Sequence, residues 1–169
     1  MTGTVSSGSM LSRIGPMLAL VGSAVGLDQA IKWLVEARLP FHEIVPVVPM
    51  LSLYRTWNEG IAFSLLKGMP DTGLLALTVL VVVFVLYLWW RNPAGRIIAH
   101  LGYALIISGA IGNLIDRAVY GHVVDYILFH TETWSFAVFN LADSFITCGA
   151  GLIVLDEVIA TIKDRKKHD

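Results

Sequence analysis

Only one cysteine, Cys148, occurs in the 169 residues, which excludes an intramolecular disulfide and a cysteine-rich metal site. It lies in an apolar run with no histidine or other base beside it, so it reads as a small core residue. Charge is scarce too: Asp, Glu, Lys and Arg make up 15% of the chain, against about a quarter in soluble domains. The two signs nearly cancel, to a formal net charge of −1, and no nucleic-acid partner is expected. Glycine-rich phosphate loops, serine nucleophile elbows and zinc-binding helix pairs are all missing. His122 has no second histidine at metal-ligand spacing and reads as a surface residue, and His100 reads as interfacial. Neither a metal nor another cofactor is expected.

What the chain has in excess is apolar side chains, at 56% of residues and a mean hydropathy of +0.70. They are gathered into long runs rather than spread through the chain. The expected fold class is therefore an all-α polytopic membrane protein with four transmembrane helices, at about residues 14–34, 72–90, 97–115 and 141–160. The first run is interrupted by Asp28, Gln29 and Lys32. With Arg13 before it and Gly22-Ser23-Ala24 within it, it also resembles a cleaved leader. The spacing Gly22-x-x-x-Gly26, which lets spanning helices approach closely, favours a retained helix. The second run is uncharged until its interfacial end at Tyr87, Trp89, Trp90 and Arg91.

Between the first two runs, residues 36–70 change character. Their β-branched and aromatic residues, with Pro46 and Pro49, suggest short strands forming a β-rich platform too small to bury a core of its own. Residues 1–12 are Gly/Ser/Thr-rich and expected as a disordered tail, residues 13–162 as one membrane domain, and residues 163–169 as a basic cytoplasmic tail. Four spans put both termini on one side. Seven cations, Arg13, Arg91, Arg96, Lys163, Arg165, Lys166 and Lys167, fall there, and five, Lys32, Arg38, Arg55, Lys67 and Arg117, fall opposite. The bias predicts cytoplasmic termini and a periplasmic platform in the inner membrane of a diderm bacterium.

The polar residues near span ends carry the chemistry. Asp28 and Lys32 stand one helical turn apart and can pair, although a helix end with Lys32 snorkelling into the headgroups gives the same pattern. Asn113 and Arg117 share a helix face, which alone would also suit an ion pair closing the helix. Asn58-Glu59-Gly60 is by itself an ordinary Asn/Gly turn. Asn140-Leu-Ala-Asp143 is close to a capping box, and a helix N-terminus is where a carboxylate is electrostatically favoured. Asp125 is followed by apolar Ile127, Leu128 and Phe129, so burial should raise its pKa. Two such carboxylates held together share one proton, Asp143 ionised and Asp125 protonated, which is the chemistry of an aspartyl protease. The alternatives are a small ion- or proton-coupled transporter relaying ions through the same acids, or a metal-dependent lipid-headgroup transferase.

Five motifs occur in order: Asp28-Gln-Ala-Ile-Lys32, Asn58-Glu-Gly-Ile-Ala-Phe63, Gly109-Ala-Ile-Gly-Asn-Leu-Ile-Asp-Arg117, Gly121-His-Val-Val-Asp-Tyr126 and Phe139-Asn-Leu-Ala-Asp143. Together they resemble the bacterial lipoprotein signal peptidases, the type II signal peptidases. One departure is Ser108, where the resemblance leads one to expect a second glycine before Gly109. The resemblance implies that Asp125 and Asp143 are the catalytic dyad. It implies that Asn58, Gly60, Asn113, Asp116, Arg117 and Asn140 line or support the site, with Asp28 and Lys32 behind them. The implied substrate is a prolipoprotein cleaved just before a diacylglyceryl-modified cysteine. Membrane lipid and globomycin-type inhibitors are the other implied partners, and the enzyme is expected as a monomer. Trp57 or Phe63 of the platform is expected against the lipid or peptide.

Overall fold

The structure is a computed structural model that describes residues 7–60, 71–93 and 95–165. Among these residues the chain forms four helices and three strands. Their order is α1 (Ser7–Arg38), β1 (Ile44–Val48), β2 (Leu51–Asn58), α2 (Asp71–Arg91), α3 (Ile97–Tyr120), β3 (Val123–Phe129) and α4 (Leu141–Arg165). Within them Gly15–Arg38, Ile97–Tyr120 and Leu141–Arg165 are long and apolar enough to cross a membrane. In α2 the apolar stretch is the shorter Leu75–Arg91. Helix α1 begins at Ser7 and so reaches into the stretch expected as a tail. Phe63 and Lys67 of the expected platform, and Lys166 and Lys167 of the expected basic tail, lie outside the described residues.

Helix α3 is the hub: α1, α2 and α4 all pack on it, while α4 touches α1 only sparingly. Small residues allow the α3–α4 contact. A Cβ added at Gly102 would stand 2.6 Å from the Gly149 carbonyl oxygen, and one at Gly149 would stand 2.5 Å from that of Gly102. One turn from the site, a Cβ at Gly109 would collide with the Ala142 carbonyl. Gly22 and Gly26, by contrast, face open space. Among the described residues the spacing that lets two helices approach closely is not used; the glycines of α3 and α4 do that work instead. Ser108, where a glycine was expected, is fully buried and turns its hydroxyl back onto the Ala104 carbonyl at 2.7 Å, so it needs no partner from another helix.

The sheet is antiparallel, in the order β1-β2-β3. A tight turn with Met50 in the left-handed region (φ 69°) joins β1 to β2. The third strand comes from between α3 and α4, so the platform is not confined to the connection between the first two helices, as the sequence suggested. Nothing local in residues 123–129 announces that they pair with β2. They do so in a register that sets Thr56 opposite Asp125 and Asn58 opposite Val123. Gly121 (φ 76°) ends α3 in the left-handed conformation, its N–H on the Arg117 carbonyl, and aims the chain into β3. Val124 and Tyr126 then pack with Val35 of α1, pinning the sheet to the helices.

The lipid-facing character is plain. Leu80, Phe84 and Val154 are more than half exposed, and so is Trp33 near the sheet end of α1. Cys148 is exposed on α4 rather than in the core. At the end remote from the sheet, Trp89 donates to His100 Nδ1 at 2.7 Å, and Arg96 grips Asp156 and Glu157 of α4. The Arg96 guanidinium is held even more firmly charged, most by Glu157 and, against the cost of burial, by Asp156 as well.

Candidate active site

Buried polar groups in a membrane protein are expensive unless each finds a partner. Here they collect where the sheet meets the ends of α1 and α3 and the start of α4. Asp28, Lys32, Asn113, Asp116, Asp125 and Asn140 are all buried there.

Asp125 projects from β3. Its Oδ2 accepts from Asn58 Nδ2 at 2.9 Å and its Oδ1 from Asn140 Nδ2 at 2.7 Å. The Asn58 amide is itself held, because its Oδ1 accepts the Gly60 N–H at 2.9 Å. Gly60 sits at φ 95°, a conformation that costs any other residue strain. The Asn/Gly turn is thus a real turn and also a device that keeps an amide N–H on Asp125. Asp125 is 2% exposed. Burial pushes its carboxyl up to about 7; the bond from Asn58 opposes this, the neighbouring Asp143 adds to it, and Asn140 opposes it. Burial likewise raises the phenol of Tyr126 to about 12.

Asp143 lies in the first turn of α4 and forms the expected capping box with Asn140. The Asp143 N–H donates to Asn140 Oδ1 at 3.0 Å, and the Asn140 N–H returns to Asp143 Oδ2 at 3.2 Å. The other oxygen of Asp143 accepts from Asn113 Nδ2 at 2.8 Å. Asn140 therefore touches both carboxylates, one with its side-chain amide and one with its backbone. That shared residue brings together two acids 18 positions apart in the chain.

Behind this layer lies a buried ion cluster. Lys32 Nζ stands 2.9 Å from Asp28 and 2.8 Å from Asp116, and donates to Asn113 Oδ1 at 3.0 Å. Lys32 is 3% exposed, so it does not snorkel; the Asp28–Lys32 spacing marks an internal pair, not a helix surfacing into headgroups. Asp28 reaches across to cap α4, accepting the Ala142 N–H at 3.0 Å, and Asp116 accepts the Val124 N–H at 3.2 Å. One cluster thus fixes α1, α3, α4 and β3 against each other. Gly112 permits it, since a Cβ there would meet Asp28 Oδ2 at 2.5 Å. Gln29 was overlooked as a site residue. Its amide donates to Asp116 at 2.7 Å and to the Gly112 carbonyl at 3.2 Å, and its only signal was its place inside the Asp28–Lys32 motif.

One expectation needs correction, and the structure places a second residue. Arg117 closes no ion pair: among the described residues its guanidinium makes only a long contact, 3.5 Å, to the Asn113 carbonyl, and Asp116 is taken by Lys32. Trp57 is adjacent to Asn58 in β2 and so points to the other face of the sheet. There its indole donates to Glu36 at 2.8 Å and stacks on His122, with ring centroids 4.4 Å apart, away from the carboxylates.

The comparisons with known proteins agree with one another. Residues 20–159 match the family model for signal peptidase (SPase) II. The chain is 60% identical over 157 residues to the lipoprotein signal peptidase of Sinorhizobium fredii (strain NBRC 101917 / NGR234), covering 93% of this chain and 95% of that one. Identity is 62% over 144 residues to the lipoprotein signal peptidase of Mesorhizobium japonicum, covering 85% and 86%. It is 56% over 151 residues to that of Brucella ovis, covering 89% and 94%. Among solved structures, a bacterial membrane enzyme determined by the in meso method at 2.3 Å superposes with a TM-score of 0.77 at 28% identity, over 93% of each chain.

Proposed function

The chain belongs to the signal peptidase II family, and on that premise we propose that Asp125 and Asp143 are its catalytic pair. As a member it is an aspartic-type endopeptidase of the membrane that removes signal peptides from prolipoproteins. The observation that carries the assignment is Asn140, whose side-chain amide holds Asp125 and whose backbone N–H holds Asp143.

The chemistry follows from the asymmetry of the two acids. Asp125, buried and raised to about 7, keeps a proton near neutrality. Asp143 sits at a helix N-terminus, where negative charge is favoured. Ionised Asp143 takes a proton from a water held between the pair, and the oxygen attacks the scissile carbonyl carbon. Asp125 donates its proton to the carbonyl oxygen, stabilising the gem-diol. Collapse breaks the C–N bond as the proton held on Asp143 passes to the leaving amine and a hydroxyl of the gem-diol returns its proton to Asp125, which restores the starting pair. Asn58, Asn113 and Asn140 are donors already in place, so none has to reorganise as charge moves. Arg117, which among the described residues bonds no carboxylate but lies within electrostatic reach of Asp143 and Asp125, would bind a substrate carbonyl or a lipid headgroup. No step requires a metal.

The substrate is cleaved just before a cysteine carrying a diacylglyceryl group, at the outer face of the inner membrane. With α2 as a fourth span, both termini are cytoplasmic and the sheet is periplasmic; the excess of cations on the side of the termini supports this. Membrane lipid and globomycin-type inhibitors would meet the same surface of a monomeric enzyme. An ion relay would need acids strung through a span, whereas these gather at one end. The test is cleavage of a lipidated precursor by wild type, Asp125→Asn and Asp143→Asn, with and without chelator. The proposal requires loss of turnover in both variants and indifference to chelator.

A further inference from the structure

Asn113 sits between Lys32 and Asp143, and its two amide ends are chemically opposite. An ammonium group can only donate, so the atom facing Lys32 must be the carbonyl oxygen. At 3.0 Å that contact fixes which way the amide is turned, and the NH2 end then has to face Asp143, which it does at 2.8 Å. The second donor to Asn113 Oδ1, Asn140 Nδ2, is longer at 3.2 Å and is divided among Asp125, the Val124 carbonyl and Asn113. It is a weaker determinant of the amide's direction. We infer that Lys32 is a positioning residue of the peptidase reaction, acting through Asn113 to keep an N–H donor on Asp143.

This rests on the reading of Asp143 as a catalytic acid, and it deepens that reading. Lys32 touches neither carboxylate of the pair. It is held by Asp28 on its own helix and Asp116 on α3. The other charged groups around Asn113 are Arg117 on α3, Asp125 on β3 and Asp143 on α4. Were Asn113 turned the other way, two donors would face each other and the third N–H of buried Lys32 would lose its acceptor, so the ammonium holds the amide in one direction.

The experiment is a double-mutant cycle on turnover of a lipidated precursor by the detergent-purified full chain. One arm is the charge-balanced Lys32→Met/Asp28→Asn, which leaves no unpaired ammonium or extra carboxylate and keeps an oxygen for the Ala142 N–H. The other arm is Asn113→Ala, and the third variant combines them. Each arm should lower kcat about 10²-fold, the cost of a misplaced catalytic group, with KM unchanged. The combination should cost about 10²-fold in total, not about 10⁴-fold, because both arms remove the same donor. Additive losses, or a KM rise without a kcat loss, overturn the inference. Asn113→Asp gives a second test. It keeps an acceptor for Lys32 but sets a carboxylate oxygen where Asp143 had its donor, so kcat should fall in protein that thermal unfolding shows to be folded. Retained kcat in that variant would overturn the inference as well. Full turnover by Asp143→Asn would instead remove the premise, and a negative cycle with Asp143 still essential would remove only the role of Lys32.

Discussion

Asn140 and Asp143 bond each other twice, the backbone of each to the side chain of the other, at 3.0 and 3.2 Å. The motif that starts α4 is therefore also the motif that orients a carboxylate. Folding of the helix and assembly of the site are the same event.

Asn140→Ala tests this union. It removes the cap and the N–H on Asp125 together, so it should cost about 1–2 kcal/mol of stability and a larger share of activity. Thermal unfolding read beside turnover separates the two. An Asn140→Ala enzyme that is less stable but fully active would detach the cap from the chemistry.

The raised carboxyl of Asp125 sets a pH dependence. Because its folded pKa, about 7, lies above the unfolded value, the native state holds the extra proton between them. Stability linked to this group is greatest below the unfolded pKa and declines as pH rises toward and through 7. Turnover that needs the protonated form declines over the upper part of the same window. The expected kcat/KM profile has an alkaline limb centred near 7. Asp125→Asn should abolish turnover and flatten the fall in melting temperature between pH 5 and 8. A wild-type profile still level at pH 9 would remove the proton from Asp125.

Lys32 shields two buried carboxylates. Lys32→Met alone strands Asp28 and Asp116, and breaking a buried ion pair in this way costs about 3–5 kcal/mol. Adding Asp28→Asn should restore much of that, because Asp116 keeps Gln29 and the Val124 N–H. Melting temperatures in one detergent provide the comparison, and equal stability of the single and double variants would contradict the pairing.

Glycines of the α3–α4 contact should differ sharply from those of α1. Gly102→Leu or Gly109→Val must push the helices apart, costing about 1–3 kcal/mol or more. Gly109→Val should also impair turnover, since it displaces the helix turn that carries Asp143. Gly22→Leu meets open space and adds only an intrinsic gain in helix propensity, within about 1 kcal/mol. Similar destabilisation by all three would put another packing surface on α1.

The helices and the acids were legible because each rests on a local signal. Apolar runs of spanning length announce α1, α3 and α4, and Asn140-x-x-Asp143 announces a helix start. Asp125 stood out as a carboxylate beside an apolar run with nothing local to satisfy it. The third strand was not legible, because its reason for being a strand is the distant β2. The face that Trp57 takes was not legible, because strand parity cannot be set before the register is known. Gly22-x-x-x-Gly26 is limited for a related reason: spacing says that a close approach is permitted, not that a partner lies among the described residues. Cys148 reads as a core residue by the rule for proteins in water, but in a bilayer the apolar outside is equally accommodating.

The exposure of Cys148 has a practical side. As the sole thiol of the chain, it offers one attachment point for a maleimide dye or nitroxide, with no other sulfhydryl to strip away first. It sits roughly 7.5 Å along the helix axis from Asp143. A spectroscopic reporter there would register the depth of that helix in the surrounding bilayer, and any tilt that accompanies the arrival of a precursor.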